Sequence, residues 1–357
     1  SASSGTAISP IPTFHYKWSA NASPPRSPQR ALCYRAAVGN AATHTKPVVG
    51  IVGLGNLGNP MAVNLLAEGY RLVVNSLVKS EATNLLDAGA TWADSAAELA
   101  TQVDVLITVL PRPEHVREVL IGSGDALAHL HDGATIIDMS TSSADIAREV
   151  QALAAPRNIA VIDAPVSFLA KTPIGSSRSV VSLQLLVGAT PEQFAHHFPL
   201  FEALGGIPDQ IMHVGPAGAG YSVKVLLNML WFIYAAGTSE VLALSSKLGV
   251  DLRVLQKALC ASPSQSNFLQ YDINSVLERG DYDEGFTIEL VVKDLQLALG
   301  LGEATGIDTV MGRVTEQMHR KALERYGPTS GEMSVVKLYE DRKSTRLNSS
   351  HIPLSRM

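Results

Sequence analysis

PVVGIVGLGNLGNPMAVNLLAEGY, residues 47–70, decides the fold. A short β-branched run leads into Gly53-Leu54-Gly55-Asn56-Leu57-Gly58, and a helical pattern follows as far as Gly69. A G-x-G-x-x-G on its own says little, but between a strand and a helix it reads as a dinucleotide fingerprint. Gly53 permits the tight turn, Gly55 lets backbone approach a pyrophosphate, and Gly58 lets the helix pack closely on the strand. Asn59 is placed to cap the helix, Pro60 suits its first turn and Gly69 stops it. The helix start then offers N–H groups and the positive end of its dipole to phosphate. Cofactor contacts are therefore expected at Gly53, Gly55, Asn56, Leu57 and Gly58.

Outward from this stretch the α/β alternation continues. Arg71–Asn75 reads as the second strand, and its end should lie beside the adenosine ribose. An acidic residue there favours NAD, and a nearby arginine favours the 2′-phosphate of NADP. The chain supplies Asn75, Ser76 and Leu77, so Ser76 is a cofactor-side residue and the choice between NAD and NADP stays open. Lys79 can reach a phosphate, but a solvated helix-end lysine is the preferred reading. "VDVLITVLP", "ATIIDMST" and "NIAVIDAPVS" read as buried parallel strands, with "SLQLLVGAT" as a further strand. Helical patterns intervene near 80–88, 114–120 and 144–154, and another runs from Pro191 to about Leu204. The strand ends carry Leu110-Pro111, Ser140-Thr141 and Ser167, which should line one crevice where ligands bind.

From Gly215 the pattern changes. "GPAGAGYSVKVLLNMLWFIYAAGTSEVLALSSKLGVD" has a glycine-rich start and then a helical pattern of roughly 30 residues ending at Gly249. Helices follow near 251–259, 283–305 and 308–326, with no further βαβ unit. Lys224 and Asn228 are i and i+4 and share one face among apolar neighbours. A lysine so placed is costly unless it is used or paired, and desolvation lowers its pKa toward neutrality, where it can exchange a proton. A lysine snorkelling at the helix start is the bland alternative. Lys293-Asp294 forms a second charged pair in an apolar helix, read equally as a charged turn on a surface helix.

The whole chain sets the limits. Its 357 residues allow two domains, and 46% hydrophobic with 17% charged residues is ordinary globular composition. A net charge of -5 gives no reason to expect nucleic acid or an acidic membrane as partner. Cys33 and Cys260 lack metal-ligand spacing and read as unpaired thiols, and no metal is expected. No uninterrupted apolar run reaches the ~20 residues that span a bilayer, and the segment around 225–236 reads as a buried helix. Residues 1–46 hold no Asp or Glu and have no apolar periodicity, so they read as disordered, in the manner of an organellar (mitochondrial or plastid) transit peptide; without that role the expected location is the cytoplasm. "DRKSTRLNSSH", within 341–357, reads as a translated sequencing adapter and is set apart from the fold. The expected architecture is thus an α/β Rossmann-type parallel-sheet N-terminal domain (47–215) followed by an all-α C-terminal domain (216–340), joined by a long interdomain helix.

The ordered motifs "GLGNLGNPMAVNL", the Leu110-Pro111 loop, "IDMST", "DAPVS", "GPAGAGYSVKVLLN", "VVKDLQLAL" and "SVVKLYE" resemble the β-hydroxyacid dehydrogenases. That family includes 3-hydroxyisobutyrate dehydrogenase, tartronate semialdehyde reductase and the glyoxylate/succinic semialdehyde reductases. The resemblance implies an NAD- or NADP-dependent enzyme acting on a small carboxylic acid, working as a homodimer or homotetramer. It implies that Lys224 is the general acid/base and that Asn228 positions substrate. Ser167 would hold the substrate carboxylate, and Thr141 would lie at the nicotinamide and substrate edge. Leu110 and Pro111 would line the cofactor, Lys293 would contact it with Asp294 as its partner at the substrate side, and Phe286 would line the pocket. Three departures stand out: Leu57 replaces a methionine, Leu227 replaces a second asparagine, and Phe168-Leu169 replaces a Gly-Gly. The segment before the next strand is also longer than in the family. Phe-Leu would crowd a carboxylate that glycine N–H groups approach freely. A catalytically silent NAD(P)-binding protein of the same fold is therefore the second expectation. A 6-phosphogluconate-type decarboxylase would want a basic cluster that the second domain does not display.

Overall fold

The computed structural model describes residues 45–168, 183–283, 285 and 287–340. The transit-peptide reading of the N-terminal stretch, the adapter reading of 341–357, Leu169 with the extended segment after it, and Phe286 lie outside these residues.

β1 (Val49–Val52) runs into α1 (Gly58–Ala67), and β2 (Leu72–Asn75) returns beside it. A 3-10 turn, α2 (Thr83–Asp87), β3 (Thr91–Trp92) and α3 (Ala96–Ala100) precede β4 (Val105–Thr108). Then come α4 (Pro113–Ile121), α5 (Ala126–His129), β5 (Thr135–Asp138), α6 (Ala144–Ala154) and β6 (Ala160–Asp163). These six strands are parallel in the order β3-β2-β1-β4-β5-β6. That order places the topological switch between β1 and β4, where an open α/β sheet binds ligands beyond its strand ends.

Successive strand residues feed opposite faces, as the period of a strand requires. Ile51, Ile107 and Ile137 enter one apolar layer, while Val52, Leu106 and Ile136 enter the other. Both faces are covered, which is why these strands read as continuous apolar runs rather than alternating ones.

The sheet then departs from the all-parallel expectation. The backbone breaks at Ala164-Pro165 and resumes as β7 (Val166–Phe168), which pairs antiparallel with β8 (Leu183–Gly188). β8 also meets the end of β6 at Asp163 and Gly188, and β9 (Gly206–Gly215) lies parallel along its other side. Between them α7 (Pro191–Ala203) starts in a full capping box, with Thr190 and Gln193 bonding reciprocally.

α8 (Ala219–Lys247) leads into the helical domain of α9 (Leu252–Cys260), α10 (Ile288–Thr305), α11 (Val310–Tyr326) and α12 (Ser334–Glu340). Two π-helical turns, at Phe268–Asp272 and Ser275–Arg279, complete it. α8 packs against α10, α11 and α12 on one side and against β8 and β9 on the other. Phe232, Val291 and Leu295 form part of the helical core.

Two expectations need correction. α10 begins at Ile288 and not near Asp283, whose Oδ1 accepts from Gly331 N at 2.8 Å. Asn59 does not cap α1 but donates to Glu81 O at 2.7 Å and bonds Asn84, tying α1 to α2.

Candidate active site

The dinucleotide cradle is built from the first βα turn. Gly53 has φ +98°, and a Cβ there would lie 2.3 Å from Val109 O, so the turn brings β1 and β4 too close for any side chain. A Cβ on Gly58 would sit 1.9 Å from Gly53 O, the close helix–strand contact the fingerprint needs. Gly55 is different, because a Cβ there would meet nothing within 4 Å. Its bareness serves no contact inside the protein, and it faces open space beside a helix start that no side chain caps. An uncapped helix N-terminus beside a bare glycine fits a pyrophosphate, with Asn56 and Leu57 in the intervening turn.

The ribose end is less expected. Asn75 Nδ2 donates to Ala93 O at 2.9 Å, and Ser76 Oγ donates to Glu81 Oε2 at 2.6 Å. Lys79 Nζ lies over the Trp92 ring, 5.2 Å from its centroid.

At the other end of the crevice the residues converge. Lys293 Nζ on α10 donates to Pro111 O at 2.9 Å and to Thr141 O at 3.2 Å, tying the helical domain to the loops after β4 and β5. The same ammonium pairs with Asp294 Oδ1 at 3.0 Å. That contact is an ion pair and not an aligned hydrogen bond, so Oδ1 lacks a hydrogen-bond donor among the described residues. Asp294 Oδ2 accepts from Asn228 Nδ2 at 2.6 Å. Asn228 and Asp294 are both buried, so the amide is held in one orientation.

Lys224 sits one turn before Asn228 on α8. Burial pushes its ammonium down to about 8; the Asp294 carboxylate opposes the shift, Lys293 adds to it, and Glu332 opposes it. Leu110, Pro111, Thr141, Lys224, Asn228, Lys293 and Asp294, expected from distant parts of the sequence, thus meet at one place.

Ser167 stands apart. It lies within β7, half-buried and paired in register with Gln184, rather than at the end of β6 as the apolar run suggested. The preceding strand, β6, is linked to the start of α8 through Asp163, whose Oδ1 and Oδ2 accept from Gly218 N and Tyr221 N.

Sequence reasoning missed a second tie between the domains, the Arg112–Glu289 ion pair at 2.6 Å. It also missed the buried Asp138, Asp163 and Tyr221. The signal was present: a carboxylate closes each of the apolar runs "ATIID" and "NIAVID", where burial would be costly without partners.

A parallel sheet with a glycine cradle at its switch point, followed by a helical domain, defines a dinucleotide-binding protein of the dehydrogenase kind. Residues 48–215 match the NAD binding domain of 6-phosphogluconate dehydrogenase, and residues 218–339 match the NAD-binding family of NADP-dependent 3-hydroxyisobutyrate dehydrogenase. The NAD-dependent L-serine dehydrogenase of Pseudomonas aeruginosa is 35% identical over 82% of this chain and 97% of its own. Human mitochondrial 3-hydroxyisobutyrate dehydrogenase is 30% identical over 85% of this chain and 88% of its own. Among solved structures, the 3-hydroxyisobutyrate dehydrogenase of Mycobacterium tuberculosis with L-serine superposes with a TM-score of 0.73 at 27% identity, covering 82% of this chain and 99% of that one. The chain belongs to the β-hydroxyacid dehydrogenase family, and it is an NAD- or NADP-dependent hydroxyacid oxidoreductase.

Proposed function

We propose that the chain interconverts a small 3-hydroxy acid and its semialdehyde in the crevice between its two domains, with Lys224 exchanging the proton at the reacting oxygen. The single observation that carries this reading is Lys224 itself. Burial brings its pKa to about 8, it lies one helical turn from the Asn228–Asp294 pair, and Asp294 is in turn paired with the Lys293 that grips Pro111 and Thr141.

The bound nicotinamide would supply or take up the hydride, and the rest of the work belongs to the protein. In the reducing direction Lys224 donates a proton to the carbonyl oxygen, and its positive charge stabilises the alkoxide that develops there. In the oxidising direction the neutral amine takes the hydroxyl proton. Asn228, held by Asp294, is fixed to orient the same oxygen. Ser167 offers a hydroxyl to the substrate carboxylate. Lys293 keeps the helical domain closed on the cofactor loops and limits the access of water.

The relatives support the substrate class, since both 3-hydroxyisobutyrate and L-serine, named in them, are three-carbon-backbone acids with a 3-hydroxyl. Reduction of tartronate or succinic semialdehyde, or of glyoxylate, would ask the same groups for the same proton. The assembly we propose is a homodimer or homotetramer, with no nucleic acid or membrane as partner.

Lys224→Ala is expected to lower kcat by about 10³-fold on 3-hydroxyisobutyrate or L-serine while NADH binding stays near wild type. Retained turnover would remove Lys224 from the mechanism. A wild-type chain that binds cofactor but turns over none of these acids would favour the catalytically silent alternative.

A further inference from the structure

A buried polar chain runs beneath the crevice. Leu110 N, in the cofactor loop, donates to Ser140 Oγ at 2.8 Å. Ser140 Oγ donates to Asp138 Oδ1 at 2.5 Å, which also accepts from Ser140 N at 3.0 Å and from Thr108 Oγ1 at 2.8 Å. The other oxygen of Asp138 accepts from the Tyr221 hydroxyl. Tyr221 N donates in turn to Asp163 Oδ2 at 2.8 Å, and Gly218 N to Asp163 Oδ1 at 2.6 Å. Thr108, Asp138, Ser140, Asp163 and Tyr221 are all buried.

The surroundings are shaped to admit this chain. Gly218, at the N-cap of α8, has no side chain to offer, so Asp163 from β6 supplies the missing acceptor for Tyr221 N in the first turn. A Cβ on Gly188 would lie 2.3 Å from Asp163 Oδ1, and one on Gly220 would lie 2.7 Å from Oδ2, so two glycines keep room for that carboxylate. A phenylalanine would fill the space of the Tyr221 ring equally well. The hydroxyl is required only because Asp138 lies below it, and a buried carboxylate oxygen without a donor is costly.

Tyr221 and Lys224 are i and i+3 on α8 and so share a face. The bond between the Tyr221 hydroxyl and Asp138 therefore ties the turn that bears Lys224 to the end of β5. Asp138 is in turn bound, through Ser140, to the loop on which the cofactor would lie. We propose that Tyr221 is a positioning residue for the dehydrogenase reaction, holding the Lys224 ammonium in register with the Leu110–Pro111 cofactor loop through its hydrogen bond to Asp138. This rests on the reading of Lys224 as the proton-exchanging group. The charged groups that act on Lys224 are Asp294 and Lys293 on α10 and Glu332 ahead of α12, and none of them belongs to the Tyr221 chain.

The test is Tyr221→Phe in the full chain, with three readouts: NADH titration, steady-state kinetics, and the pH dependence of Lys224 acylation by acetic anhydride followed by peptide mass spectrometry. Cofactor affinity and KM should stay within about threefold of wild type, while kcat falls about 10- to 100-fold through misplacement of the ammonium. The acylation midpoint of Lys224 should rise by about half a pH unit or more as the loosened turn admits water. Asp138→Asn, which sets an amide NH2 either against the Tyr221 hydroxyl or against the Ser140 and Thr108 donors, should change kcat and the midpoint in the same direction. It decides the question alone if Tyr221→Phe does not fold. Wild-type kcat and midpoint in the folded variants would overturn the proposal. A wild-type chain without turnover would instead defeat the function proposed above, and the acylation midpoint would still judge Tyr221.

Discussion

Lys224 carries two opposing demands. It must lie deep enough to be desolvated, yet keep enough negative charge nearby to remain protonated at neutral pH. Burial is the larger effect and lowers it to about 8; Asp294 limits the fall. The sign of its pH dependence follows. In the oxidising direction the neutral amine is the active form, so kcat/KM for the hydroxy acid should rise about tenfold per pH unit up to about pH 8 and then level. In the reducing direction the ammonium is the active form, so the rate should hold to about pH 8 and fall above it. Initial rates in both directions from pH 6 to 10 check this. Limbs that run the same way in the two directions would assign the proton to another group. The companion lysine serves differently: Lys293 spends its hydrogen bonds on Pro111 O and Thr141 O, which makes it a clasp between domains.

At the scale of elements, the β1–α1 unit separates two uses of glycine that look alike in sequence. Gly58→Ala would set a Cβ 1.9 Å from a backbone oxygen, so strand and helix must move apart. Gly55→Ala would meet nothing in the protein and would intrude only where the cofactor's pyrophosphate would lie. Gly55→Ala should therefore keep the wild-type Tm and weaken NADH binding about tenfold or more, whereas Gly58→Ala should lower both. Calorimetry beside a fluorescence titration separates the two, and equal loss of Tm would refute the distinction. This unit was legible because its signals are local: an apolar run, a spaced glycine triplet and a helix stop at Gly69. β4, β5 and β6 were legible for the same reason, being buried on both faces. β9 was not, since "GIPDQIMHVG" is exposed along much of its length and owes its pairing to β8. The antiparallel turn of β7 was hidden too, because "DAPVS" reads as one strand end until the chain is seen to break at Ala164-Pro165. In the site, Lys224, Asn228, Lys293 and Asp294 were visible as polar residues out of an apolar pattern. Tyr221 was not, since an aromatic at the start of an apolar helix gives no sign that its hydroxyl meets Asp138 across 83 residues of sequence.

For the whole molecule, α8 carries Lys224 and Asn228 on its inner side and a row of exposed apolar side chains on its outer side. Leu226, Leu230, Tyr234, Val241, Leu244 and Leu248 are exposed, with Leu244 at 65% and Leu248 at 79%. Their spacing of four, four, seven, three and four residues keeps them on one stripe along a helix of 29 residues, roughly 44 Å long at 1.5 Å per residue. The helix is long and apolar enough to cross a membrane by length and composition, with 39% of its most apolar window buried in the protein. Its inner side carries Asn228 bonded to Asp294 of α10, with Ser239 fully buried, as in a packed domain interior. An apolar stripe of this length calls for a partner, and a second copy presents the same stripe in a self-complementary way. A stable pair would bury about 1,200–2,000 Å² in total, within reach of two such helices and their flanks. Light scattering on the purified chain at micromolar concentration should therefore give at least twice the monomer mass. Leu230→Glu with Leu244→Glu should shift it to the monomer while NADH binding at the distant glycine cradle persists. A wild-type monomer, or an oligomer indifferent to both charges, would show that this stripe is not what joins the copies.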